Sequence, residues 1–167
     1  MLRKMRTAHK KIIERSRLPQ AIAELRQLAK TIVFANGCFD ILHVGHLRYL
    51  EGARRQADAL IVGVNADSSV CALKGPGRPI LDERARALLV AALGAVDYVV
   101  IFSDPNVEPL LKEIRPDVHA KGTDYTAESV PERAVAHDLG IRIAIVGDAK
   151  SHSTSELLQT VRQAPNG

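Results

Sequence analysis

Two histidines flank a glycine in the segment "NGCFDILHVGH", residues 36–46. Because His43 and His46 are three positions apart, both rings can point the same way from the first turn of a helix. Gly45 lets a phosphate approach the backbone closely, and a helix expected to start near His46 has unpaired N–H groups that attract anions. Two imidazole donors at such a corner fit the binding of a phosphorylated ligand.

Other uses of the histidine pair are a metal site or a purely structural role. A metal site needs further ligands, and no third Cys, His or carboxylate follows at a ligand-like spacing on the same helix. We therefore predict no protein ligand for a metal ion. Two histidines that only cap or pack the helix remain an alternative when the pair is considered by itself.

The corner must be positioned by the elements around it, and five short apolar runs alternate with helical patterns from Thr31 onward. Near-continuous apolar strands separated by helices indicate a parallel sheet covered on both faces. Right-handed crossovers predict a doubly wound, Rossmann-like α/β fold with strand order 3-2-1-4-5. Such sheets bind ligands at the carboxyl ends of their strands, where the order reverses. The predicted strands are 31–36, 59–65, 96–102, 117–122 and 141–147.

Residues 1–30 are predicted to be a basic extension followed by an added helix. Ile22, Leu25, Leu28 and Ala29 lie on one stripe of that helix. A sheet already covered on both faces offers this stripe no obvious place. We therefore expect the helix to pack on a second copy of the chain, which predicts a homodimer.

Composition and charge exclude several classes of protein. The 23 basic and 19 acidic residues give a formal charge of +4, which is weak support for a polyanionic partner. Aromatic residues make up only 4% of the chain and do not alternate with basic ones, which argues against nucleic-acid binding. Two cysteines without CxxC spacing fit a reducing compartment. With no apolar run of signal or membrane-spanning length, we expect a cytoplasmic protein without a membrane partner.

The corner motif resembles that of a known group of enzymes. "GCFDILHVGH" is similar to the GxFDxxHxGH signature of the nucleotidyltransferase superfamily, which includes glycerol-3-phosphate cytidylyltransferases. Together with "LIVGVNADSSVCALKGPGRPI", "VDYVV", "RPDVHAKGTDY" and "HSTSELL", it resembles the D-glycero-β-D-manno-heptose 1-phosphate adenylyltransferases. The resemblance runs from about residue 10 to residue 162 and implies a nucleotidyltransferase domain over residues 31–163.

The resemblance implies roles for individual residues. The backbone of Cys38 and Phe39 would run along the nucleotide, Asp40 would help order the loop, and His43 and His46 would contact the triphosphate. The implied catalytic residues are His43, His46 and Lys74, and the implied nucleotide-binding residues are Cys38, Phe39, Asp40, Gly45, Lys121, Asp124, Ser153, Thr154 and Ser155.

The Gly/Pro-rich segment "LKGPGRP", residues 73–79, is implied to be a mobile flap. Its Lys74 and Arg78 would reach the phosphates of both substrates, although an ordinary solvated basic turn is an alternative. The implied sugar-phosphate-binding residues are Asn36, Arg78 and Arg84. Arg84 has a slightly favoured alternative role, in which it pairs with a carboxylate.

Two other parts of the implied site have structural alternatives. Lys121 and Asp124 of "KGTDY" could belong to an ordinary turn at the end of a strand. Ser153 and Glu156 match the spacing of a capping box, which needs no ligand. Glu156 also departs from the family pattern, since a carboxylate beside a triphosphate would repel it.

The resemblance implies transfer of AMP from ATP to a sugar 1-phosphate, with Mg²⁺ held mainly by the ATP phosphates. A separate sugar kinase would act upstream, because no kinase-sized segment precedes the motif. One alternative is a glycerol-3-phosphate cytidylyltransferase or another small phosphate-accepting relative. The other is a nucleotide-binding module without turnover.

Overall fold

The computed structural model describes residues 7–148 and 154–163 and confirms the predicted fold. Five parallel strands form one sheet in the order β3-β2-β1-β4-β5, with helices on both faces. Strand β1 pairs with β2 on one side and with β4 on the other, so the order of the strands reverses at β1. The strands are β1 Ile32–Gly37, β2 Ala59–Asn65, β3 Tyr98–Phe102, β4 Val118–Gly122 and β5 Arg142–Val146.

Helices connect the strands and also flank the sheet. One of them, α4, was not predicted from the sequence, because only Val70 of this short helix is buried and a single buried residue gives no periodic pattern. No helix in the described ranges is long and apolar enough to cross a membrane. The helices are α1 Ala8–Lys11, α2 Leu18–Gln27, α3 Val44–Arg54, α4 Asp67–Lys74, α5 Glu83–Ala92, α6 Glu108–Ile114, α7 Arg133–Asp138 and α8 Thr154–Gln163.

Alternation along β1 divides the core into two layers. Val33 and Ala35 are buried in the layer that also contains residues of α3 and α5. Ile32 and Phe34 are buried in the other layer, with residues of α2 and α6. A central parallel strand buried on both faces is therefore apolar at successive positions, which is the pattern of residues 32–35.

Helix α2 packs on its own sheet, so the reason for expecting a homodimer is wrong. Leu18, Ala21 and Leu25 are buried in the same layer as Phe34. Helices α6 and α7, which follow β3 and β4, have only 7 and 6 residues, and α2 extends the cover of that face. The homodimer itself stays a prediction, without this support.

An ion pair fixes the direction of α2. Arg26 Nη1 donates to Asp117 Oδ2 over 2.7 Å, and the same oxygen accepts the Ile32 N–H over 2.7 Å. One carboxylate therefore joins α2 to the starts of β1 and β4. This contact holds the entry to the central strand in register.

Removing the apolar anchor of α2 should destabilise the protein. Leu18 is fully buried, and a buried Leu→Ala change costs about 3 kcal/mol through lost burial and a residual cavity. We expect the free energy of unfolding of Leu18→Ala, measured in urea, to be lower by that amount at every protein concentration.

Leu28→Ala is the matched control, because Leu28 is 68% exposed just after the same helix. Its effect should stay below about 0.5 kcal/mol. Equal stability of the two variants would contradict the packing of α2 on its own sheet.

Candidate active site

The segment between β1 and α3 opens at the carboxyl end of the central strand. Two of its residues have positive φ angles without being glycine, Phe39 at 49° and Ile41 at 62°. Such residues cost on the order of 1 kcal/mol each and persist only where surrounding contacts hold them. The corner therefore needs a strong internal contact, and Asp40 lies between the two strained residues.

The Asp40 carboxylate ties this corner to residues 75–81. Its Oδ1 accepts the N–H groups of Ile80 and Leu81 over 2.9 and 3.2 Å. Its Oδ2 lies 2.7 Å from Nε of Arg78 in an ion pair, and the Asp40 side chain is buried. The corner and the flap are therefore one unit joined through a single side chain.

The two cations of the flap, Lys74 and Arg78, differ in their exposure. Gly75 and Gly77 have φ angles of 87° and 79°, a backbone that favours glycine, although a Cβ at either position would meet nothing within 4 Å. Arg78, only 14% exposed, turns inward to Asp40, whereas Lys74 is exposed at the end of α4. Of the two, Lys74 is the more exposed, and Arg78 could contact a ligand only beside its ion pair with Asp40.

The histidines form a reciprocal cap at the start of α3. His43 is the N-cap, and its Nδ1 accepts the Gly45 N–H over 3.1 Å. His46 is the third residue of the helix, and its Nδ1 accepts the His43 N–H over 3.4 Å. The structural role considered for the pair is thus present, and in both rings the capping nitrogen is Nδ1.

This cap determines which ring nitrogens carry protons. A neutral imidazole whose Nδ1 accepts a hydrogen bond has its proton on Nε2. The two rings stack with centroids 3.9 Å apart, and Phe39 meets His46 edge-on at 5.3 Å. Burial, together with the nearby His43 and Lys74, lowers the pKa of His46 to about 4. At neutral pH His46 is therefore an uncharged Nε2–H donor.

The expected supply of unpaired N–H groups at the helix start is mostly absent. Helix α3 begins at Val44, and the Gly45 N–H is taken by a histidine ring. The N–H groups of His46 and Leu47 both donate to the His43 carbonyl. Anion binding at this corner therefore depends on the imidazole Nε2–H groups more than on the backbone.

Lys74 belongs to the same site as the histidines. Its positive charge is one of the influences that lower the pKa of His46, and it also acts on Cys38, whose pKa is nonetheless raised because burial dominates. The Cys38 thiol faces Asn65 Oδ1 at 4.0 Å. The structure thus brings together the end of α4, the corner and the first turn of α3.

A buried arginine that the sequence reasoning missed supports this arrangement. Arg86 is fully buried and donates to the carbonyls of Leu81 and Cys38 over 2.9 and 2.5 Å, while its Nη2 lies 2.7 Å from Asp67 Oδ1. Arg84, the residue considered from the sequence, is exposed on the same helix. The available signal was spacing, since Arg86 precedes buried Val90 by four positions and shares its face of α5.

The end of β4 contributes a second set of candidate residues. Lys121 is buried, with its Nζ 3.4 Å from Glu132 Oε2 and 4.7 Å from the centre of the Tyr125 ring. Asp124 is exposed in the turn that follows the strand. On β1, Asn36 is half-buried, and its Oδ1 lies 3.3 Å from Nε2 of buried His119.

The implied phosphate site at the last helix is only partly described. Ser153 lies outside the described residues, and α8 begins at Thr154. The side chains of Thr154, Ser155 and Glu156 also lie outside the described residues, so these roles stay predictions. Within residues 7–148 and 154–163, no three His, Cys, Asp or Glu side chains group together as a metal site would require.

Comparison with known proteins assigns the family. The profile of cytidylyltransferase-like proteins matches residues 34–157, which is most of the chain. The chain belongs to the cytidylyltransferase-like family. The matched region includes the corner, the histidine pair and the flap, so the resemblance of "GCFDILHVGH" is confirmed at this level.

Individual proteins within and beyond the curated relatives are also similar to this cytidylyltransferase-like chain. It is 48% identical over 143 residues to the bifunctional protein HldE of Pseudomonas aeruginosa and 41% identical over 151 residues to that of Syntrophotalea carbinolica. These matches cover 86% and 90% of the chain but only 30% and 31% of the two relatives. Among solved structures, the lipopolysaccharide core biosynthesis protein of Thermoplasma volcanium aligns with a TM-score of 0.61 at 28% identity, covering 72% of this chain and 99% of that one.

Neutralising Asp40 should loosen both corner and flap. Asp40→Asn leaves the buried Arg78 without its ionised partner, and breaking such a pair costs about 3 kcal/mol. We expect urea unfolding to show this loss and trypsin to cut faster between Lys74 and Gly75. Asp138→Asn, at a side chain 80% exposed, is the matched control and should change neither. If both variants resist urea and trypsin equally, Asp40 does not hold the flap.

The His46 ring should stay neutral well below pH 6. Nitrogen NMR of the folded protein is expected to show a protonated Nε2, an unprotonated Nδ1 and a pKa of about 4. The same residue in concentrated urea provides the reference, near 6.5. Because only the unfolded chain binds this proton between those values, His46 makes the unfolding free energy fall as the pH drops from about 6.5 toward 4. A proton on Nδ1 in the folded state at pH 7 would contradict the capping arrangement.

Proposed function

We propose that this chain transfers AMP from ATP to D-glycero-β-D-manno-heptose 1-phosphate, giving ADP-heptose and pyrophosphate for lipopolysaccharide or surface-glycan precursors. The observation that carries the proposed chemistry is a stacked pair of imidazoles, each accepting a backbone N–H at Nδ1, beside an exposed lysine. The Nε2–H groups of His43 and His46, which take no part in the cap, would then face the ligand, and Lys74 would add a positive charge. Such donors suit a triphosphate.

The choice of sugar rests on the likeness to relatives. The motifs from the corner to "KGTDY" resemble heptose 1-phosphate adenylyltransferases, and two bifunctional HldE proteins are 41% and 48% identical to this chain. A solved structure at 28% identity is titled a lipopolysaccharide core biosynthesis protein. The chain spans about 30% of the bifunctional relatives, and a sugar kinase is proposed to act upstream of it by supplying the 1-phosphate.

The reaction would be an in-line displacement at the α-phosphorus of ATP. An oxygen of the sugar 1-phosphate forms the new P–O bond, and the bond between the α-phosphorus and the bridging oxygen breaks, so that pyrophosphate leaves with the electron pair. A phosphate monoester has a second pKa of about 6, so its oxygen is already ionised at neutral pH. The protein therefore needs no general base and acts by positioning and charge stabilisation.

Each residue group would serve one part of this displacement. The Nε2–H groups of His43 and His46, together with Lys74, would face the charge that builds on the leaving pyrophosphate. Arg86 would act indirectly by holding the Cys38 carbonyl, which fixes the backbone along which the nucleotide is proposed to lie. Lys121, Asp124 and residues 153–155 are proposed to complete the nucleotide site, and Asn36, Arg78 and Arg84 the sugar-phosphate site.

Magnesium would enter with ATP as part of the substrate. The described side chains offer no cluster suited to holding it, so phosphate oxygens and water would be its ligands. The ion would offset charge on the phosphates. The protein's contribution is then the orientation of the phosphates by the imidazoles and Lys74.

Two other functions remain as alternatives to test. Transfer of CMP to glycerol 3-phosphate would use the same corner, because the histidine pair does not read the nucleobase. A nucleotide-binding module without turnover would also bind a triphosphate there. The exposed Lys74 beside neutral donors favours turnover, since such groups can follow charge as it moves.

A pyrophosphate-release assay separates these functions. We expect release from ATP with heptose 1-phosphate, and little from CTP with glycerol 3-phosphate or from ATP alone. Release only in the CTP reaction would identify the cytidylyltransferase alternative. ATP binding by calorimetry without release from any pair would favour the binding module.

Removing the His46 donor should affect turnover more than ATP binding. Loss of one charge-stabilising donor costs on the order of 3 kcal/mol, so kcat of His46→Ala should fall roughly a hundredfold or more, with a smaller rise in KM for ATP. His43→Ala should behave similarly, and the double variant should lose less than the product of both effects. His137→Ala, at an exposed position on α7, is the control. Unchanged kcat with weaker ATP binding would make the histidines ground-state ligands.

A further inference from the structure

A buried histidine with no assigned role lies beside the candidate sugar-phosphate site. His119 is fully buried on β4, where its ring stacks on Phe34 with centroids 5.7 Å apart. Its Nε2 lies 3.3 Å from Asn36 Oδ1, and its Nδ1 is buried without a hydrogen-bond partner among the described residues. A buried polar ring costs stability unless it is hydrogen-bonded, and the hydrogen-bond partner of His119 among the described residues is Asn36.

The chemistry of the two side chains determines the direction of their hydrogen bond. An amide oxygen only accepts, so Nε2 of His119 must carry the proton and donate to Asn36 Oδ1. The opposite arrangement would leave an N–H on Nδ1 buried without an acceptor, and orphaned buried N–H groups are rarer than under-used acceptors. Burial and the charge of Lys121 lower the pKa of His119 to about 3, so the neutral ring persists at every working pH.

This bond orients the other half of the Asn36 amide. Asn36 is half-buried near the carboxyl end of β1, one residue before Gly37 at which the strand ends. With Oδ1 held by His119, the Nδ2 donor group turns away from the sheet interior, and it has no hydrogen-bond partner among the described residues. The Asn36 carbonyl lies 3.4 Å from Tyr49 Oη, whose single proton is better placed for the Ala120 carbonyl at 2.9 Å.

We infer that His119 is a positioning residue, which holds Asn36 so that its Nδ2 group donates to the phosphate of the acceptor substrate. The inference rests on the proposed function, since it assigns Asn36 to the sugar-phosphate side of the site. It also explains why a polar ring lies between apolar layers at this position. His119 itself touches no substrate and acts only through the amide.

A double-mutant cycle tests the coupling. His119→Phe keeps a ring against Phe34 and removes the donor, so we expect KM for the sugar 1-phosphate to rise about fivefold, the effect of one neutral hydrogen bond, with KM for ATP nearly unchanged. His119→Gln restores a donor and should recover part of the loss. Asn36→Ala should raise the same KM, and adding His119→Phe to it should have no further effect.

A structural role for His119 predicts different results. In that case the effects of His119→Phe and Asn36→Ala would multiply, and both KM values or kcat would change together, which would overturn the inference. His137→Phe makes the same change at an exposed histidine and should alter neither KM.

An NMR measurement separates failure of this inference from failure of the proposed function. The Asn36 side-chain NH₂ resonances should shift and broaden in His119→Phe but keep their positions in His137→Phe, whatever reaction the protein catalyses. If they do not respond to His119→Phe, His119 does not hold Asn36. If they respond but heptose 1-phosphate is not a substrate, the positioning stands and the proposed substrate is wrong.

Discussion

The candidate site depends on one buried carboxylate at a strained corner. Asp40 lies between two non-glycine residues with positive φ, and its oxygens bind the backbone N–H groups of residues 80 and 81 and pair with Arg78. Without these contacts the strain at Phe39 and Ile41 would relax, and the chain would enter α3 at another angle. The histidine pair would then point elsewhere. The same contacts hold the flap against the corner, so the position of the histidine pair and the position of the flap are set together.

The capping of α3 gives the histidines their chemical character. Most helices use a hydroxyl or carboxylate for this purpose, and a ring that caps through Nδ1 has a second nitrogen, Nε2, that takes no part in the cap. The cap thus fixes the tautomer, while burial and the neighbouring ring and lysine keep His46 neutral. In each imidazole, Nδ1 therefore makes the structural interaction, and Nε2 is the candidate for the catalytic one. This is why the sequence alone could not separate the capping role from phosphate binding.

The sequence predicted what periodicity and topology rules determine, and it missed what depends on tertiary packing. The five strands, their order and the corner between β1 and α3 follow from alternating apolar runs and right-handed crossovers. The position of α2 could not be predicted in this way, because the area of the sheet that α6 and α7 leave uncovered depends on the lengths of those helices. Arg86 was missed for a related reason: its spacing from Val90 marks it as a buried position, but its role depends on partners, the Cys38 carbonyl and Asp67, that only the fold brings near.

The distribution of charge explains why neutral donors suit this site. Each buried cation around it faces a carboxylate: Arg78 faces Asp40, Arg86 faces Asp67, and Lys121 faces Glu132. Lys74 forms no ion pair with the described residues, so it can move with a phosphate. In the proposed reaction, an interaction of equal strength in the ground state and in the transition state would not lower the barrier. In that reaction, hydrogen bonds from the imidazole N–H groups would strengthen as the leaving pyrophosphate gains charge, and these uncharged donors would hold the released product less tightly than fixed cations would.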